Sequence, residues 1–157
     1  MGLGILLEAA AAARTKEIAR ASAEAEAAEA AAVRNLTGSW QNVNEAMSNT
    51  SRAYQTQVTG RAGQAWVENG VKFDGMSNGR LIEVKGDYSH FVNNNGQFYN
   101  WFAGQESLVN QASNQLRAAQ GAPIDWFFMN ESSMKAVQNL FSSEGISGIN
   151  FILQPLK

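Results

Sequence analysis

Apolar and polar positions change rhythm several times along the chain. From Ile5 to Val33 alanine dominates, with Glu, Arg and Lys interspersed and no proline, a composition that predicts a long helix. Arg20 and Glu24, four apart, share one face of it. Trp40, Val43, Ala46 and Met47 recur at helical spacing and predict a second helix over Trp40–Val58, ending before Thr59-Gly60. The period then shortens. Ala65–Glu68 and Val71–Met76 read as strands joined at Asn69-Gly70, and Arg80–Lys85 as a third strand entered through Asn78-Gly79. Both Asn-Gly pairs suit two-residue hairpin turns. Tyr88–Val92 reads as a short helix or turn and Asn93–Gly96 as a loop. A long helix follows from about Phe98 to Ala119, closed by Gly121 with Pro123 beyond. Ile124–Met129 is a buried strand, Ser132–Ser143 a helix and Ser147–Leu153 a last strand. This alternation predicts an α/β domain: a mixed β-sheet flanked by helices, preceded by an N-terminal Ala-rich helix.

Composition narrows the chemistry. The 157 residues suit one domain with a real core. The absence of cysteine excludes disulfides, thiolate zinc sites and a cysteine nucleophile. A single histidine, His90, excludes a multi-histidine metal centre, so metal chemistry would run on oxygen ligands and point to Mg²⁺, Ca²⁺ or Mn²⁺. The net charge of -2 gives no bulk footprint for nucleic acid, so such a role must be carried locally. The apolar run Met1–Leu7 is short, Glu8 interrupts it, and no basic residue precedes it. Neither a signal peptide nor a membrane partner is expected. Residues 1–35 read as a helical segment, either solvated or self-associating into a homo-oligomer, or a linker or docking element from a longer polypeptide. Residues 36–157 are the working domain.

The informative chemistry lies on the second and third strands. With Asn78-Gly79 as a two-residue loop, Ser77 pairs with Arg80, Met76 with Leu81, Gly75 with Ile82 and Asp74 with Glu83. Two carboxylates opposed on one face repel each other and destabilise a sheet. A shared divalent cation turns that repulsion into chelation. Strand alternation adds Lys85 to the face of Glu83 and sends Val84 the other way, toward the core with Ile82 and Phe73. Asp74 and Glu83 as ligands with Lys85 beside them fit metal-assisted phosphodiester hydrolysis, Lys85 orienting water or meeting transition-state charge. The bland alternative is an exposed Glu–Lys cross-strand patch.

Other residues are weaker candidates. Gln111 and Gln115 share a helix face and could reach a phosphate or fix Lys85, but this helix is amide-rich throughout. Glu45 and Gln55 are candidates for completing an acidic metal site from the first domain helix. His90 could act as a base, although a lone histidine is more often structural or solvated. Trp101, Trp126, Phe127 and Phe128 read as core rather than as base-stacking platforms, whereas Trp66 and Tyr99 stay open. Arg61, Lys72 and Arg117 are the cations available, with Lys85, to meet phosphates.

Tyr54-Gln55, Val58-Thr59-Gly60, Gly70-Val71-Lys72-Phe73-Asp74-Gly75, Leu81-Ile82-Glu83-Val84-Lys85-Gly86 and Gln111-Ala112 with Gln115 form a specific series, with Trp126 on a later strand. Over about Ala53 to Pro155 the chain resembles the restriction endonuclease fold toxin 5 family of the PD-(D/E)xK nuclease superfamily. That resemblance implies a restriction-endonuclease-like fold and a metal-dependent nuclease, the C-terminal toxin domain of a bacterial polymorphic or type VI secretion effector. It implies Mg²⁺, with Mn²⁺ as a substitute, and a cognate immunity protein. It also implies delivery modules joined through the N-terminal region, secretion by the producer and action in the cytoplasm of the target cell. Asp74, Glu83 and Lys85 become its catalytic core, with Gln111 and Gln115 as helix amides. Phe73 stands where the superfamily pattern has proline. DNA is the expected substrate, an RNase on the same fold the nearest rival, and a non-enzymatic interaction module oligomerised by the N-terminal helix the rival from another class.

Overall fold

The computed structural model describes the backbone of residues 2–34 and 36–157 and the side chains of 9–28 and 36–157. Helix α1 spans Gly2–Arg34, as its alanine content predicts, and every side chain over 9–28 is exposed. The side chains of the Met1–Leu7 run lie outside the described residues. No helix among the described residues is long and apolar enough to cross a membrane.

The domain that follows is mixed α/β. Strand β1 (Ser39–Asn42), helix α2 (Asn49–Thr59), and strands β2 (Gln64–Glu68), β3 (Val71–Phe73), β4 (Gly75–Ser77) and β5 (Arg80–Val84) come first. A short 3₁₀ turn at Ser89–Phe91 precedes α3 (Gly104–Ala119), β6 (Ile124–Phe128), α4 (Glu131–Ser143) and β7 (Ile149–Leu153). One sheet has the order β1-β2-β3 and is antiparallel; the other has the order β4-β5-β6-β7. In the second, β4 runs antiparallel to β5, and β5, β6 and β7 run parallel. Val71–Ser77 is in effect one strand broken at Asp74, its first half paired to β2 and its second to β5.

Both Asn-Gly turns form as expected. Asn69 and Gly70 have φ of 48° and 79°, Asn78 and Gly79 have φ of 52° and 74°, the left-handed pair that a tight hairpin needs. The second turn delivers the expected register, Ser77 opposite Arg80, Met76 opposite Leu81 and Gly75 opposite Ile82.

Three element boundaries differ from the sequence expectation. Trp40 does not begin a helix: Ser39–Asn42 pairs with Gln64–Val67. Trp40 packs edge-on against Trp66, 5.6 Å between ring centroids, and this tertiary contact overrides the helical spacing. The fully buried Glu68 secures the strand's entry, accepting bonds from the Thr37 and Gly38 backbone N–H groups at 3.0 and 2.8 Å and from Trp66 Nε1 at 3.1 Å. A Cβ on Gly38 would lie 2.3 Å from the Val67 carbonyl oxygen, so only glycine permits this approach. Helix α2 starts later, where the Ser48 side chain accepts from the Ser51 N–H, an N-cap signal. The long helix starts at Gly104 rather than Phe98, because Val92 and Phe98 form a bridge and Phe102 N–H turns back to the Tyr99 carbonyl.

The core gathers Phe73, Leu81, Leu108, Ile124, Trp126, Phe128, Val137 and Phe141 between the second sheet and α3 and α4. Arg80 grips Asp125 through Nε at 2.7 Å and an Nη at 2.8 Å, and Asn150 bonds the same carboxylate at 3.1 Å. These contacts pin the hairpin to β6 and β7.

The C-terminal tail straps α2 to the sheet. Gln154 N–H bonds the Phe128 carbonyl, Tyr54 Oη donates to the Gln154 carbonyl at 2.7 Å, and Gln57 bonds Pro155 and Lys157. Burial pushes the Tyr54 hydroxyl up to about 12. Tyr54→Phe should remove about 1 kcal/mol of stability and lower Tm by about 2–4 °C in differential scanning fluorimetry.

Candidate active site

The break at Asp74 and the end of β5 face each other. The ladder stops at Gly75–Ile82, and Asp74 turns its carboxylate onto β5, Oδ2 accepting the Val84 N–H at 2.7 Å. Glu83 lies beside it, close enough for the two carboxyls to hydrogen-bond. The opposition expected from register is therefore realised through a side chain reaching across the end of the ladder.

Ile82 is buried on one face of β5 as expected, but the charged face is buried as well and further along the strand, which corrects the expectation for Val84. Glu83 and Lys85 are 5% and 6% exposed, while Val84 is only half-buried. Partners supplied by α3 and β6 make this burial tolerable. Lys85 Nζ lies 3.0 Å from Glu83 Oε2 and bonds Gln111 Oε1. Gln111 Nε2 donates to Glu83 Oε2 at 3.0 Å, and Gln115 Nε2 donates to Glu83 Oε1 at 2.9 Å. Trp126 Nε1 donates to Gln115 Oε1 at 2.8 Å, and its ring lies 4.5 Å from Lys85 Nζ.

Both amides have forced polarity. An indole N–H and an ammonium can only donate, so each glutamine must turn its oxygen to Trp126 or Lys85 and its NH₂ to Glu83. Trp126 was legible only as core. Its second role lies in a buried indole N–H that needs an acceptor.

Electrostatics follow from this packing. Burial, then the neighbouring Glu83, pushes the Asp74 carboxyl up to about 8, against the opposing pull of the Val84 N–H and Lys85. For Lys85 burial is the largest influence and disfavours charge, yet Glu83, Tyr88 and Asp74 together outweigh it and push the ammonium's pKa up. Lys85 is therefore a fixed cation at neutral pH.

Asp74, Glu83 and Lys85 open onto one cleft of about 180 Å³, whose wall includes Glu45, Ser51, Tyr54 and Gln55. Gln55 is 6% exposed. Glu45 lies in the loop before α2, not on a helix as expected, and pairs with Lys72 at the surface. Lys72 is half-exposed and is paired with that carboxylate instead of lining the cleft. Arg61 stacks over Trp40 at 4.3 Å and Arg117 bonds Asn114. Neither lines the cleft, and nor does His90, which is exposed on the 3₁₀ turn. Trp101 corrects another expectation: Trp126 and Phe128 are fully buried, but Trp101 is 65% exposed.

The donor set suits a hard cation. Asp74 and Glu83 offer only oxygens, and Asp74 receives a single backbone N–H, at Oδ2. No group of three His, Cys, Asp or Glu gathers among the described residues. These two carboxylates would therefore leave most of the coordination shell to water and substrate, the usual habit of Mg²⁺.

The model for restriction endonuclease fold toxin 5 matches residues 51–131, just over half of the chain. The chain belongs to this family. The matched segment of this fold toxin runs from α2 to the start of α4 and includes the whole Asp74–Glu83–Lys85 cluster with both glutamines. No match was found among curated proteins.

Proposed function

We propose that this restriction-endonuclease-fold toxin is a metal-dependent DNA endonuclease, with Asp74 and Glu83 holding Mg²⁺ (or Mn²⁺) and Lys85 as the catalytic cation. The observation that carries this reading is the burial of two adjacent carboxylates and a charged lysine in one open cleft. Lys85 and the two glutamines offset the charge of Glu83, whereas Asp74 receives one backbone N–H, and a bound cation would relieve the repulsion between the two carboxylates. A divalent ion bound there supplies Lewis acidity toward a phosphodiester oxygen and lowers the pKa of water.

The chain's own residues do the rest. Lys85 brings fixed positive charge to the phosphate as negative charge grows on its oxygens. Gln111 and Gln115 hold Glu83 in one orientation with their N–H groups, so the site is organised before substrate arrives. Gln55 offers an amide at the cleft wall, and Glu45 sits where it can exchange Lys72 for a bound ligand. Residues 1–35 serve as the linker to delivery modules and 36–157 as the nuclease. The toxin is delivered to competitor bacteria by a contact-dependent or type VI system, acts on DNA in their cytoplasm, and is blocked in the producer by a cognate immunity protein.

Purified protein incubated with plasmid and with total RNA, with Mg²⁺ or with EDTA, tests this. The expected result is plasmid degradation that EDTA stops, intact RNA, and no cleavage by Glu83→Ala. Full activity in Glu83→Ala would sink the mechanism, and RNA loss with intact plasmid would move the substrate to RNA.

A further inference from the structure

The loop between Gly86 and Gly104 carries an aromatic array that the proposed chemistry does not use. It leaves β5 directly after Lys85 and Gly86, both of which line the cleft. It returns into α3, whose Gln111 bonds Lys85. Its first end is therefore at the cleft, and its second enters the helix that carries Gln111. Ring contacts connect them outward. Tyr88, three residues after Lys85, packs against Phe102 at 6.0 Å, Phe102 stacks on Phe91 at 4.3 Å, and Phe91 meets Trp101 at 5.9 Å. Trp101 in turn stacks on Tyr99, 5.3 Å apart and 13° from parallel. The two outermost rings are the open ones, Trp101 65% and Tyr99 38% exposed.

We infer that Trp101, backed by Tyr99, is a stacking platform for an unpaired base of the nucleic-acid strand being cut. This rests on the nuclease reading above and adds to it that the strand is single or locally melted beside the cleft. The stacked pair holds the indole flat and leaves it open to solvent, a preformed apolar face on which a planar ring can stack. The surroundings select which one. No lysine or arginine occurs between Lys85 and Arg117, so this surface does not track phosphates. It offers neutral amides instead. Gln97 and Asn100, the chain neighbours of this aromatic segment, make no side-chain hydrogen bond among the described residues and line a polar recess of about 230 Å³. Flat aromatic faces with amide donors and acceptors match the face and edge of a nucleobase. The array also answers the charge problem: a chain of net charge -2 gains affinity from base faces that it lacks from cations.

Binding of short fluorescein-labelled single-stranded DNA, single-stranded RNA and blunt duplex DNA, read by anisotropy in EDTA, tests the inference in wild type, Trp101→Ala and Trp101→Phe. Trp101→Ala should weaken single-strand binding about tenfold, the contribution of one stacked base, and duplex binding by less than about twofold. Trp101→Phe should recover most of the loss, and an unchanged Tm would confirm intact folding of this exposed site. Weakening of the DNA strand, the RNA strand or both supports the platform and says which backbone it accepts. Unchanged single-strand binding in Trp101→Ala, with wild-type plasmid cleavage intact, overturns the platform and leaves the nuclease reading standing. The same follows if Trp101→Ala alters only inhibition by a protein partner. Absence of both binding and cleavage in wild type overturns both.

Discussion

Asp74→Asn should abolish phosphodiester cleavage and, in the same protein, raise thermal stability at pH 8. The two effects have one origin. Burial and Glu83 push the Asp74 carboxyl up to about 8, whereas in the unfolded chain it titrates near 3.9. Between those values the folded protein holds a proton that the unfolded chain has released. Stability then falls as pH rises, beginning near pH 4 and levelling off above pH 8. Asparagine cannot ionise, still accepts the Val84 N–H and can donate to Glu83, so the variant escapes that loss. In metal-free buffer the Tm gap between Asp74→Asn and wild type should be small at pH 4 and widen steadily to at least about 5 °C at pH 8. Added Mg²⁺ should raise the Tm of wild type, which binds it, and leave the variant unchanged. A gap independent of pH, or a variant less stable at pH 8, would remove the case that the two carboxylates strain each other.

The second large effect is expected from Gln115→Glu. The change alters almost no volume, but it replaces the NH₂ that faces Glu83 Oε1 at 2.9 Å with an oxygen. Trp126 Nε1 already claims the other oxygen and can only donate, so the side chain cannot flip to escape. Two carboxylates would then face each other at a fully buried position, and one must take up a proton or break the network. The expected cost is about 3–5 kcal/mol, the range for a buried charge left without its partner, with cleavage lost. Gln115→Met, which removes the side chain's hydrogen bonds to Glu83, Trp126 and the Lys72 carbonyl without adding charge, should fold better than Gln115→Glu while losing the same orientation of Glu83. Chemical denaturation of both variants separates the outcomes. Equal stability in the two would show that amide polarity is unimportant.

The turn residues carry most of what the sequence discloses about this site. Two left-handed positions at Asn78 and Gly79 set the register, and the register brings Asp74 to Glu83 and Lys85. The match over residues 51–131 agrees with the fold expected from that pattern. The burial of this face was harder to read. Alternation suggested that Val84 points to the core, because patterning assumes that the apolar side is the buried one. Here the charged side is buried as well as Ile82 on the apolar one, and its partners lie 26 to 32 positions away on α3. The same blindness to distant partners explains Trp40, whose helical spacing lost to pairing with β2. It also explains Trp101, an aromatic next to a phenylalanine that composition alone assigns inward.

Asp74 stands where one strand passes from the first sheet to the second, while Glu83 belongs wholly to the second. The gap between the two carboxylates is therefore set by the angle at which the sheets meet. A shift of β1, β2 and β3 as a unit would pull Asp74 against its bond to the Val84 N–H and reach Gln115 through the Lys72 carbonyl, 3.5 Å from its Nε2. The three-stranded sheet is in this sense coupled to both carboxylates, to Asp74 through the chain itself and to Glu83 through Gln115.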